Sequence, residues 1–174
     1  MEFPAIHSFP PFYTPQVHQE TLKAQISQWY EIILTHCRAK STFVINIQEE
    51  LSSPLFNNRN IKRRLSIDFL REILNEQVKL ERGEWETDEK NSCILYRRSL
   101  SELSLMIFNW VDSNGLRNSV FTVYELCHGN LTEVEEFHGV PTKSMKRALK
   151  ILERQGKCQL IVGLNDDETG VKFS

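Results

Sequence analysis

The sequence predicts an α+β fold made of one structural pattern written twice, placed behind an N-terminal arm. Apolar residues recur at helical spacing in both halves of the chain. Each half closes on two short apolar runs around a polar turn, the mark of a hairpin. The start of the chain carries the aromatic-proline run Phe9-Pro10-Pro11-Phe12-Tyr13-Thr14-Pro15.

Proline fixes φ and holds the preceding residue extended, which biases this arm toward polyproline II. An arm so biased loses little conformational entropy on docking, while Phe9, Phe12 and Tyr13 offer large apolar faces. Residues 1–18 therefore read as an extended docking arm for another protein, with Phe9, Pro10, Pro11, Phe12 and Tyr13 as its anchors. On that reading, removing residues 1–15 changes thermal stability little. The alternative is an arm packed back on its own domain. Pro10-Pro11-Phe12-Tyr13 is also a Pro-Pro-x-Tyr tetrapeptide of the kind WW domains read, a motif too short to be specific alone.

From Gln19 the chain turns helical, with Leu22, Ile26, Trp29, Tyr30, Ile33 and Cys37 on one apolar face. The β-branched run Thr42 to Ile47 is short enough for a strand, and Ser52 to Asn58 supplies turn chemistry. A short basic segment, Arg59 to Leu65, precedes Ser66, the N-cap of a longer helix. Phe69, Leu70, Ile73, Leu74, Gln77 and Leu80 make that helix's stripe, and Gly83 ends it. Glu84 to Thr87 and Cys93 to Arg97 then flank a polar turn as a hairpin. The order is helix, strand, helix, helix, hairpin, with the basic segment as the short second helix.

The order then repeats. Leu103, Met106, Ile107, Trp110 and Val111 form the next lead helix, closed by Asn114-Gly115. Asn118 to Phe121 is a short strand, and Thr122 with Glu125 forms a capping box that opens a short helix. Pro141 starts a helix with the stripe Met145, Ala148, Leu149 and Leu152, ended by Gly156. Cys158 to Val162 and Gly170 to Phe173 make the last hairpin. Three helices with a two-stranded wing is the winged-helix pattern. The expected organisation is two tandem winged-helix domains, residues 19–98 and 99–174, preceded by the extended proline/aromatic arm.

Bulk composition bounds the function. At 174 residues, 40% hydrophobic and 25% charged, the chain has the make-up of a globular protein. A formal net charge of −2 gives no global field toward nucleic acid or anionic lipid. No apolar run approaches the roughly 20 residues of a membrane span. Without a signal-peptide pattern, Cys37, Cys93, Cys127 and Cys158 read as reduced core thiols of a cytoplasmic protein. Their spacing fits no zinc site, and no metal or cofactor is expected.

The third helix of the first domain carries Asp68, Glu72, Glu76 and Glu81 against Arg71, Lys79 and Arg82, which argues against phosphate binding. In the second domain Lys143, Arg147, Lys150 and Arg154 share a face opposite the apolar stripe. A solvated face is the default; a docking face for an acidic protein segment is the functional reading. Glu133, Glu135 and Glu136 and the acidic tip Asp166-Asp167-Glu168 oppose phosphate there as well. A tandem winged-helix nucleic-acid-binding protein is the alternative, favoured only by that basic stripe. For Arg59, Lys62, Arg63 and Arg64, solvation is again the default, with a partner's carboxylates or acidic headgroups as the minority option. No nucleophile–base arrangement or phosphate loop is present, and no residue takes a catalytic role.

Six motifs then occur in one order: the aromatic-proline arm, the Trp29 helix, Ser53 to Asn58, Phe121 to Leu126, Glu136 to Gly139, and Gly170 to Phe173. In this the chain resembles the small-subunit family of the endosomal sorting complex ESCRT-II, the vacuolar protein sorting subunit twenty-five family. The resemblance implies a non-catalytic subunit whose arm and first domain bind two larger sister subunits, vacuolar sorting subunits twenty-two and thirty-six. It implies that the second winged helix recruits an ESCRT-III subunit, vacuolar sorting subunit twenty. The contacts expected there are Phe121, Thr122, Glu133, Glu135, Lys143, Arg147 and Lys150. The process implied is the sorting of ubiquitinated cargo into multivesicular bodies at endosomes, with the membrane reached only through the complex. Some members carry two Pro-Pro-x-Tyr motifs; here the first falls on Pro4-Ala5-Ile6-His7, which lacks one proline and the tyrosine.

Overall fold

The computed structural model describes residues 2–174. They divide into two compact units, one ending at Arg97 and the other spanning Arg98–Ser174. The arm belongs to the first unit and is not extended. It forms two successive 3-10 turns, Ala5–Ser8 and Pro10–Tyr13.

Behind the arm come α1 (Gln19–Ala39), β1 (Val44–Asn46), α2 (Ile47–Glu50), β2 (Asn57–Asn58), β3 (Arg63–Arg64), α3 (Ile67–Lys79), β4 (Gly83–Trp85) and β5 (Ser92–Leu95). The expected face of α1 is the core, with Ile26, Trp29, Ile33 and Cys37 all buried. The stripe of α3 is buried from Phe69 to Gln77, but Leu80 lies past the helix end and is half exposed. The sheet runs β1-β5-β4, so the lead strand pairs with the far arm of the hairpin, Val44 opposite Ile94.

The short second helix is not in the basic segment. It follows β1 directly, because the Asn46 side chain accepts from the Glu49 amide at 3.2 Å and turns the chain into α2. The basic segment is instead one arm of a small hairpin, Asn57 opposite Arg64 and Asn58 opposite Arg63. Lys62, at φ 54°, closes its turn.

The second unit holds α4 (Leu100–Ser113), β6 (Val120–Thr122), α5 (Val123–His128), a 3-10 turn (Asn130–Thr132), α6 (Thr142–Arg154), β7 (Cys158–Ile161) and β8 (Gly170–Phe173). Its sheet, β6-β8-β7, repeats the first arrangement. Two capping boxes set its helix starts, Ser99 with Glu102 and Thr122 with Glu125. The core stripe of α6, Met145, Ala148, Leu149 and Leu152, is buried.

All four long helices stop in the same way. The residue after the C-cap is left-handed in each case: Ser41, Glu81, Gly115 and Gly156. The next amide returns to the helix, as in Thr42 N to Cys37 O at 2.9 Å and Lys157 N to Leu152 O at 2.9 Å. Gly83 therefore does not end α3; Glu81 does. Gly83 is glycine because a Cβ there would collide with the Ile94 carbonyl across the sheet.

All four cysteines are free and buried. Burial pushes the Cys37 and Cys158 thiols up to about 11 and those of Cys93 and Cys127 up to about 12. The thiolate is the reactive form, so none is populated at neutral pH. A disulfide-exchange reagent should label each cysteine of the native protein no faster than unfolding of its own unit permits, and label all four sites in full denaturant. Rapid labelling of any one cysteine would show a local opening that the packing does not provide.

Candidate protein-interaction sites

The arm is held by hydrogen bonds to backbone carbonyls that a 3-10 turn leaves without partners. The Trp29 indole donates to Phe12 O at 3.0 Å, and the Gln25 amide donates to Phe12 O at 2.9 Å and Thr14 O at 2.8 Å. The Phe12 ring stacks on Trp29 at 4.4 Å between centroids, tilted by 9°. Tyr13 meets Trp29 edge-on at 5.3 Å and donates its hydroxyl to His7 O at 2.9 Å. Phe12 and Tyr13 are 3% and 4% exposed, so both are core residues of their own unit.

This corrects the expectation that all five anchors face a partner. A backbone carbonyl withdrawn from water needs a donor, and Trp29 and Gln25 sit one helical turn apart on α1 to supply it. Burial also pushes the Tyr13 phenol up to about 12, although a hydrogen bond from Asn58 acts the other way. Its folded value lies above the ordinary 10, so its contribution to stability is complete below pH 10 and is lost as pH rises toward 12. Of the five, Phe9 (53% exposed) and Pro11 face outward, and Pro10 is half-buried.

Sequence reasoning missed His7. It occupies the place of the tyrosine in the degenerate first motif and is 3% exposed. Its Nε2 lies 2.8 Å from Leu55 O, an atom that only accepts, so Nε2 carries the proton. Nδ1 is then free to accept from the Asn58 amide at 3.4 Å, and Phe3 stacks on the ring at 4.1 Å. The first motif therefore keeps its turn and its buried anchor without tyrosine. No local pattern announces this, because both partners lie about fifty residues away.

In the second unit the structure separates the expected contacts. Phe121 is 8% exposed and packs between Trp110 and Phe173, so it belongs to the core and not to a docking face. Its place on β6 beside the central strand β8 dictates that, since alternate strand residues face the core. Thr122 is occupied by its capping box: its hydroxyl accepts from Glu125 N at 3.0 Å. Glu133 is exposed and Glu135 half-buried, and between them Val134 is 91% exposed.

Along α6 Lys143 is half-buried, while Arg147, Lys150 and Arg154 are exposed. Lys146, which is not part of that stripe, pairs with Asp166 of the final hairpin at 2.8 Å. Arg98 pairs with Glu136 at 3.0 Å. His138 meets the Thr132 hydroxyl at 3.1 Å, and His36 Nε2 lies 3.4 Å from a Glu50 carboxylate oxygen. Among the described residues no cluster of metal-ligating side chains occurs, and no helix is long and apolar enough to cross a membrane.

The comparisons with known proteins agree with one another. The family model described as "ESCRT-II complex subunit" matches residues 6–141. Vacuolar protein-sorting-associated protein 25 of Danio rerio is 38% identical over 99% of this chain and 98% of its own length. Its Xenopus laevis counterpart is 39% identical over the same shares. The Arabidopsis thaliana protein of that name is 34% identical over 99% of this chain and 96% of its own length. Among solved structures, a crystal structure of subunit VPS25 of the endosomal trafficking complex ESCRT-II superposes with a TM-score of 0.84 at 27% identity. That match covers 99% of this chain and 98% of the other. The corresponding chain in the crystal structure of endosomal complex ESCRT-II (VPS22/VPS25/VPS36) gives 0.83 at 27% identity, covering 98% of each. The chain belongs to the family of ESCRT-II complex subunits.

Proposed function

We propose that this chain is a non-catalytic assembly subunit of an endosomal sorting complex, built from two winged-helix units. Its arm and first unit join two larger sister subunits, and its second unit recruits an ESCRT-III subunit for sorting ubiquitinated cargo into multivesicular bodies. One observation carries the reading: end-to-end likeness, in sequence and fold, to a subunit crystallised with VPS22 and VPS36. The mixed charge supports it, since from Ser99 to Ser174 there are 8 Lys/Arg against 10 Asp/Glu. That surface suits a protein better than a polyanion.

The packing of the arm assigns its residues two tasks. Phe12 and Tyr13 hold the turns to α1 and His7 holds them to Leu55 and Asn58, which leaves the exposed Phe9 and Pro11, with the half-buried Pro10 between them, to meet the sister subunit. The test is co-expression with both sister subunits followed by size exclusion. The wild-type chain is expected to co-elute with them. Phe9→Ala with Pro11→Ala should stay folded and lose about tenfold or more in affinity, because an exposed ring is removed only from the interface. A wild-type chain that elutes alone would overturn the proposal.

A further inference from the structure

We propose that the groove between α1 and α3 is a receptor for an arginine side chain of a partner protein, separate from the arm's docking face. The groove encloses about 650 Å³, and none of residues 2–18 lines it. Leu22, Ile26 and Leu80 supply its apolar walls, with Leu80 49% exposed. Gln77, on the same lining, is 1% exposed, and its Oε1 has no hydrogen-bond partner. It stands in the apolar stripe of α3, one turn after Ile73, where a leucine would pack without a polar atom to satisfy. A buried acceptor left without a donor costs stability. The fold carries a polar group there that it does not itself use.

Two carboxylates share that lining. Glu72 is exposed and Glu76 half-buried, and among the described residues neither makes an ion pair. The cations around the groove are otherwise engaged: Lys23 lies 3.8 Å from Glu20, and Arg82 sits over the Tyr30 ring, 5.4 Å from its centroid. Lys79 is in the last turn of α3, where a cation offsets the helix dipole. An anionic occupant would be opposed by Glu72 and Glu76. Arginine answers each feature of the groove. Its methylene stem lies against apolar walls while its head stays among polar groups. The guanidinium carries five N–H donors in a planar fork and accepts nothing, so it serves two carboxylates and an amide oxygen together. Lysine brings only three donors at one point.

The test titrates the isotope-labelled full-length chain with N-acetylarginine amide and with its lysine and citrulline counterparts. Nuclear magnetic resonance reads the Gln77 side-chain amide and the Leu22 and Leu80 methyl groups. The arginine probe should bind at about 1 mM, the strength expected of a ligand of its size. Citrulline, the uncharged isostere, should bind about tenfold more weakly, and lysine in between. Gln77→Leu should weaken arginine binding about tenfold with an unchanged or raised melting midpoint, because the acceptor it removes had no partner. Glu72→Gln/Glu76→Gln should weaken it about tenfold at low salt, flatten its salt dependence and still co-elute with the sister subunits. If Gln77→Leu does not fold, this second variant, which changes no fully buried side chain, decides alone. No binding of the arginine probe at about tenfold that concentration would overturn the proposal. So would equal binding of arginine and citrulline, or wild-type arginine binding by either folded variant. Failure of the second variant to join the sister subunits would place the groove in that interface and overturn its separate role.

Discussion

Deleting residues 1–15 is expected to destabilise the first unit severely. Phe12 and Tyr13 are core side chains, and Trp29, with no exposed surface, depends on them for one of its faces. Truncating a buried phenylalanine to alanine typically costs about 3–5 kcal/mol. A typical domain is stable by only about 5–15 kcal/mol. Loss of Phe12 alone therefore removes a large share, and loss of the whole arm removes more. The deletion also strips the Trp29 indole and the Gln25 amide of the carbonyls they serve. For a unit of this size about 1 kcal/mol shifts the midpoint by roughly 4–8 °C, so Phe12→Ala should lower it by more than about 12 °C. Differential scanning calorimetry of the full chain should show one transition moving and a second, from the unit beginning at Arg98, staying put. A deletion mutant melting within about 2 °C of wild type would mean that the arm's packing adds no stability.

The same residues show what was legible in the sequence and what was not. The helices were, because their apolar stripes and caps are local: Ser66, Thr122 with Glu125, and the Asn114-Gly115 stop lie within one turn of what they control. The arm was legible as a segment with a purpose, since aromatic rings beside prolines do not belong in a frayed tail. Its direction of packing was not. Phe12 faces α1 because of Trp29 and Gln25, which lie 17 and 13 positions further along the chain. The same chemistry in an isolated peptide would suit a foreign pocket equally well.

The other differences have the same origin. Ile47 was read as the end of the strand because it continues the β-branched run, yet the side chain of Asn46, the last strand residue, bonds three residues ahead and turns the backbone into α2 at Ile47. The basic segment followed neither helical nor strand periodicity, and its pairing with Asn57 and Asn58 depends on a turn closed by Lys62, a residue with no turn preference of its own. Leu80 falls at helical spacing from Gln77 but is the C-cap, beyond the last helical residue and one position before the chain turns left-handed at Glu81. Periodicity assigns a face only while the helix continues.

Phe121→Asp is expected to unfold the second unit, and that changes how any loss of the ESCRT-III recruitment proposed for it should be interpreted. Phe121 sits between Trp110 and Phe173, with ring centroids at 5.8 and 6.1 Å, on a strand paired to the centre of its sheet. The substitution removes a buried ring and leaves a carboxylate without a partner. Either alone costs several kcal/mol, and together they should exceed the stability of a unit this small. Burial favours the protonated form, so the introduced carboxyl has a folded pKa above its unfolded one. What stability remains is then present at low pH and lost as pH rises past roughly 4, so the variant should regain structure between about pH 7 and pH 4.5. Val134→Asp is the matched control: that side chain is 91% exposed between Glu133 and Glu135 and should tolerate the charge with full stability. Near-ultraviolet circular dichroism, which reads the packing of Trp110, should collapse for the first variant and not for the second. If the partner binds the folded Val134→Asp protein normally while Lys150→Glu weakens it, the contact lies along α6 and not on the loop. A Phe121→Asp protein with native tertiary signal at neutral pH would remove Phe121 from the core.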